Sequence, residues 1–279
     1  MATKKTTAVK NSEPPKTTAV STALDFSADA GRGMEGATQE SFAIPFLMTL
    51  QKGSPQVDEA SGVAIDGAKA GMLYDNISGQ LFDGKEGVRI VPCAYRRVFI
   101  RWGSEASGEG FKGEIDPEVV AEMRHKGEVK ELDNRLYFPL EDGTVNEKKC
   151  DRLSDTRNHY ILIIDEATGF WREALLSLSS TQIKKSKMLM SALAGVKVQS
   201  ANGMYTPPTF ANVVHVTTIP ESNDKGTWYG VRFQLDGHVK RSEIYAAAKA
   251  FHGKVAKGVV EAKYEEAHPA DGSDASNGF

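Results

Sequence analysis

The sequence predicts an α+β domain in which strands dominate. Three observations carry this expectation. Five β-rich runs occupy the middle of the chain, one amphipathic helical segment separates the third run from the fourth, and Gly, Pro, Asn and Asp punctuate the joins.

Taken in order, "SFAIPFLMTLQ" (41–51) has the apolar content of a short helix, with Pro45 marking a break or a first-turn position. "GVRIVPCAYRRVFIRW" (87–102) reads as a long strand bent at Pro92. A helix follows over 116–127, with Asp116 as its cap and Pro117 as its first residue. "NRLYFPLEDGT" (134–144) suggests a small hairpin. "NHYILIID" (158–165) and "FWREALLSL" (170–178) are strands joined by the turn "EATG". The segment after Ser179 and Ser180 is a helix with Ile183, Leu189 and Leu193 on its apolar face, ended by Gly195. "FANVVHVTT" (210–218) and "TWYGVRFQL" (227–235) are the last strands, and 238–253 is a C-terminal helix. Five strands with a helix between strands 3 and 4 is the element order of an OB-fold barrel. The expected architecture is therefore a five-stranded OB-fold-like barrel, with an insertion at 103–150 after strand 1.

Tails flank this domain. Residues 1–37 are rich in Thr, Lys, Ser, Gly and Pro and poor in large apolar side chains, the composition of a disordered basic arm. Residues 38–258 form the folded domain, and 259–279 read as a flexible acidic tail closing on Phe279. The two cysteines, Cys93 and Cys150, do not make a disulfide framework or a CxxC metal site, which points to a reducing cytoplasmic setting. No apolar run is long enough to cross a bilayer, so no membrane role is expected.

Motifs for catalysis are missing. "GEGFKG" (108–113) matches the glycine spacing of a dinucleotide loop, but Asp116-Pro117 starts the helix beyond the last glycine and no βαβ unit follows. There is no phosphate-binding GxxxxGK[ST] loop, no HExxH pair and no nucleophile elbow. The sequence thus predicts neither an enzyme nor a cofactor.

Binding features are stronger. Along 95–102 one face of the strand carries Tyr95, Arg97, Phe99 and Arg101, and the other carries Arg96, Val98, Ile100 and Trp102. Trp228 and Arg232 share a face of a later strand, and Tyr160 and Trp171 lie near Arg157 and Arg172. From Ala174 to Pro220 there is no Asp or Glu, in a chain that has 37 of them, yet this span holds Lys184, Lys185 and Lys187 on one flank of a helix. The formal net charge of −3 means that any affinity for an anion comes from such local patches. Unpaired bases stack on rings while their phosphates track cations, so single-stranded nucleic acid is the expected ligand.

The stretches "CAYRRVFIRW", "DTRNHYILI" and "SLSSTQIKKSKMLM", together with the element order and the acidic tail, resemble phage-encoded single-stranded DNA-binding proteins. The resemblance implies sequence-independent binding of single-stranded DNA in replication or recombination, inside the host cytoplasm. It also implies that the tail, through Asp271, Asp274 and Phe279, recruits partners such as a DNA polymerase, helicase or nuclease. Dimerisation is common among such proteins and is left open by the sequence. The competing expectation is a virion or other structural protein with no nucleic-acid role.

Overall fold

The computed structural model describes residues 27–29, 32–37, 41–166, 168–224, 226–260, 262 and 264. The chain divides into two units, 1–38 and 39–279. In the first, the described residues form one turn of 3-10 helix, Ser27–Asp29, and Arg32 pairs with Asp29 at 2.8 Å.

The second unit is α+β and strand-dominated, as expected. In chain order its elements are β1 (Leu47–Thr49), β2 (Leu73–Asp75), β3 (Leu81–Phe82), β4 (Val88–Trp102), β5 (Phe111–Ile115), α1 (Pro117–Lys126), β6 (Lys130–Leu132), β7 (Arg135–Tyr137), β8 (Arg152–Ile164) and β9 (Trp171–Ser179). There follow α2 (Ile183–Gly195), β10 (Val198–Ser200), β11 (Gly203–Tyr205), β12 (Asn212–Asn223), β13 (Gly226–His238) and α3 (Ser242–Ala256). None of these helices is long and apolar enough to cross a membrane.

The five long strands pair antiparallel in the order β9–β8–β4–β12–β13. To close into a barrel, the two outer strands β9 and β13 would have to pair with each other. Among the described residues they do not, and the sheet is open. Segment 44–51 occupies the seam. Phe46 forms a parallel bridge with Leu175, and Leu175 N donates to Pro45 O at 2.8 Å. On the other side the Gln51 amide takes both backbone groups of Tyr229, donating to its O at 2.9 Å and accepting from its N at 2.8 Å. Gln182 Oε1 accepts from Val231 N at 2.9 Å, so two glutamine side chains satisfy part of the β13 edge. Gly230 lies between these contacts, and a Cβ there would collide with the Glu221 and Gln182 side chains.

That seam also corrects the expected helix at 41–51. The segment is extended, because Phe46 belongs to one core and Leu47 to the core on the opposite side, the alternation of a strand buried on both faces. One core is lined by Val88, Ile90, Ile161, Ile163, Val214 and Val231 and covered by Leu189 and Leu193 of α2. The other holds Val98, Ile100, Tyr160 and Leu162 and is covered by α3 through Ile244, Ala248, Phe251 and Val255, a one-face helical spacing.

Strand β4 bends at the predicted place, with its register to β8 shifting between Pro92 and Ala94. Helix α1 starts at Pro117 and ends at Gly127 in the left-handed region (φ 75°), although the Asp116 side chain makes no capping bond. The hairpin expected at 134–144 lies earlier, as β6–β7, turning through Asp133 and Asn134 with φ of 49° and 62°. Helix α3 begins after 238 because β13 runs through His238. Segment 103–150 folds a small core of its own from Val120, Val129 and Leu136 over Phe99 and Leu153. Val260 and Tyr264, inside the stretch expected as tail, are buried core residues. The folded unit thus extends past 258.

Candidate functional site

On the α2 side of the sheet, β4 and β8 place Tyr95 opposite His159 and Arg97 opposite Arg157. Tyr95 is exposed, its ring 5.2 Å from the His159 ring, and its hydroxyl accepts from Arg157 Nη1 at 3.3 Å. Arg97 donates to both Asp155 oxygens, at 3.1 and 2.9 Å, and the carboxylate raises its already high pKa. Arg157 is buried and shares Asp155 at 2.9 Å.

Helix α2 joins this row at His159. His159 Nε2 and Ser186 Oγ are 2.7 Å apart, both buried. Burial disfavours the charged imidazole and pushes its pKa down to about 4, so His159 is neutral at physiological pH. Ser186 is flanked by Lys184 and Lys187, both exposed, and Met188 is 60% exposed one residue on. Lys185 does not join them; it pairs with Glu221 at 2.6 Å. Burial raises the Glu221 carboxyl, but Lys185, Gln182 and Trp228 outweigh it and hold the pKa below its usual value.

Of the residues singled out from sequence, Tyr95, Arg97 and Arg157 come together, and Lys184 and Lys187 are exposed on α2, whose Ser186 contacts His159. Others do not. Phe99 is 7% exposed, because the 103–150 segment packs over the end of β4, so it cannot serve as a stacking platform. Arg97 lies 5.2 Å above its ring instead. Tyr160 is 1% exposed in the α3-side core, where burial pushes its hydroxyl up to about 12. Arg101 is held by Asp151 at 2.6 and 2.8 Å and lies 4.1 Å over the Phe138 ring.

Trp171 and Arg172 sit opposite Ile164 and Ile163, roughly 26 Å along β8 from Asp155 at strand spacing. There Arg172 Nε is 2.7 Å from the buried Asp75 carboxylate, and Trp171 packs on the core. Trp228 donates from Nε1 to Glu221 at 3.0 Å, and Arg232 is exposed on the β13 face opposite Phe233. Asp271, Asp274 and Phe279 lie outside the described residues.

Three arginines were missed. Arg124 on α1, Arg135 after the β6–β7 turn and Arg152 at the start of β8 line, with Arg97, a cavity of about 240 Å³. No sequence spacing joins these positions; only the fold-back of 103–150 does. The sole signal was the turn "DNR", which sets Arg135 at the end of a hairpin. A second cavity, of about 150 Å³, lies at the seam beside Gln51, Gln182, Trp102, Trp228 and several hydroxyl side chains.

No curated protein and no solved structure matches the chain. A family model described as Pam3 phage gp34-like protein matches residues 12–261, which covers every strand and helix described above. By this match the chain belongs to the Pam3 phage gp34-like protein family.

Proposed function

We propose that this phage-family protein binds single-stranded nucleic acid, single-stranded DNA in the first instance, on the face where Tyr95 and Arg97 meet α2. The observation that carries this reading is the His159–Ser186 contact. It ties α2, on which Lys184 and Lys187 are exposed, to β8, the strand paired with Tyr95 and Arg97 of a segment some 90 residues earlier. A ring for stacking flanked by cations is what an unpaired strand requires, and nothing in such a surface reads base identity. The β9–β8–β4–β12–β13 order, with α2 between β9 and β12, adds weight as an opened OB-type arrangement whose closing ladder is replaced by segment 44–51.

A second reading, an interaction protein with no nucleic-acid role, draws on the carboxylates that already neutralise Arg97 and Arg101. Fluorescence anisotropy with labelled poly-dT and a matched duplex, each at two salt concentrations, separates the two. The nucleic-acid reading expects salt-sensitive binding that favours the single strand, weakened by about 1–3 kcal/mol in Tyr95→Ala. Phe99→Ala is expected instead to cost about 3–5 kcal/mol of fold stability, since its ring is core. Absence of binding at low salt would leave the interaction reading.

A further inference from the structure

We propose that the 240 Å³ cavity between the β6–β7 hairpin, the ends of β4 and β8 and the start of α2 is a binding site for an oxyanion of the phosphate class. The inference stands on the cavity's own chemistry, independent of the nucleic-acid reading.

Arg97, Arg124, Arg135 and Arg152 line this cavity, and Glu131 and Asp155 are the carboxylates in its lining. Both carboxylates are already engaged. Glu131 accepts from Arg124 at 2.6 Å, and Asp155 serves Arg97 and the buried Arg157, each at 2.9 Å. Arg135 makes no ion pair among the described residues, so its fork of donors is open to a ligand. Arg97, Arg124, Arg135 and the Arg157 behind them therefore outnumber the Glu131 and Asp155 carboxylates two to one. Behind Asp155, Arg157 Nε is buried with no hydrogen-bond partner, which deepens the positive potential of the wall.

The remaining wall is the start of α2, through Ser180 and Ile183. Its first turn carries no carboxylate, and neither Ser179 nor Gln182 caps it with a side chain. The Ile183 N–H donates to Ser180 O, and the positive end of the dipole, with no carboxylate in the first turn to offset it, still favours anions. Guanidinium forks on separate elements (β4, α1, β7 and β8) suit a tetrahedral oxyanion better than a planar carboxylate, because donors arrive from several directions. At about 240 Å³ the cavity has room for one such anion.

The test is calorimetric titration and thermal unfolding of the full chain with inorganic phosphate, against chloride at matched ionic strength. Saturable phosphate binding is expected, with a rise in Tm that chloride does not reproduce. Arg135→Ala should bind phosphate about tenfold or more weakly, with its phosphate-free Tm unchanged because it breaks no ion pair. Arg135→Lys should recover part of the loss, and Arg124→Gln, on the exposed α1, provides a second variant expected to weaken binding. Equal responses to phosphate and chloride, or wild-type affinity in both Arg135→Ala and Arg124→Gln, would overturn the proposal. A poly-dT competitor then identifies the source. Displacement of phosphate places a strand phosphodiester in the cavity; phosphate binding that persists unchanged makes it a site for a free oxyanion.

Discussion

At the scale of single residues, His159 couples α2 to the sheet. Its imidazole is 1% exposed and bonded to Ser186, with a pKa near 4 against an ordinary value of 6.5. A lowered folded-state pKa means that below pH 6.5 the unfolded chain takes up a proton that the folded chain refuses. Stability from this site is therefore full above pH 6.5 and is lost as pH falls toward 4, by roughly 3 kcal/mol at the lower end. Urea unfolding of the wild type and of His159→Gln at pH 7 and pH 4 measures this. Glutamine keeps a partner for Ser186 and has no proton to gain, so the variant should lose about that much less on acidification. Equal losses would mean that His159 already titrates normally. Tyr95 and Phe99 make the complementary case, because two aromatics on one strand face have opposite fates. Nothing in their own identity separates them; the segment 103–150 covers one and leaves the other in water.

At the scale of the element, α2 divides its lysines by what lies opposite each one. Lys185 faces Glu221, which also holds Gln182 and Trp228, so it ties the helix to the β12–β13 hairpin. Lys184 and Lys187 face water. If α2 contacts a single strand, replacing both by Ala should reduce the magnitude of the salt-dependence slope by about 1.4, at about 0.7 per phosphate contact. Lys185→Ala should leave the slope unchanged and lower the unfolding free energy by about 1 kcal/mol, as loss of a half-buried ion pair. Anisotropy across a salt series and urea titration read the two effects separately. A slope that falls only in Lys185→Ala would reverse the assignment.

At the scale of the whole molecule, the decisive feature is the open seam between β9 and β13. Segment 44–51 fills it by hydrogen bonds from side chains as well as backbone, and Tyr264 packs nearby. The Tyr264 ring lies 5.2 Å from Phe46 and 5.4 Å from Phe111, and its hydroxyl donates to the buried Asn158 at 2.7 Å. Both ends of the folded unit thus close the same region. Truncation after Gly258 removes Val260 and Tyr264 and should cost about 3–5 kcal/mol, the range for emptying an aromatic core site. Truncation after Tyr264 keeps both and should leave stability close to that of the full chain. Thermal unfolding of the two truncated proteins compares them, and equal Tm values would contradict a structural role for Tyr264.

The strand and helix order was legible in the sequence because period-2 runs, turn residues and the Pro117 and Gly195 signals are local. So was the exposure of Tyr95, Arg97, Lys184 and Lys187, since alternation and the lack of acids after Glu173 need no tertiary information. The seam, the burial of Phe99 and Tyr160, the capture of Lys185 and Arg172 by distant carboxylates, and the meeting of Arg97 with Arg124, Arg135 and Arg152 were decided only by the tertiary structure. Each depends on which segment covers which face. That choice is made by burying apolar surface between residues far apart in the chain, and no short-range pattern encodes it.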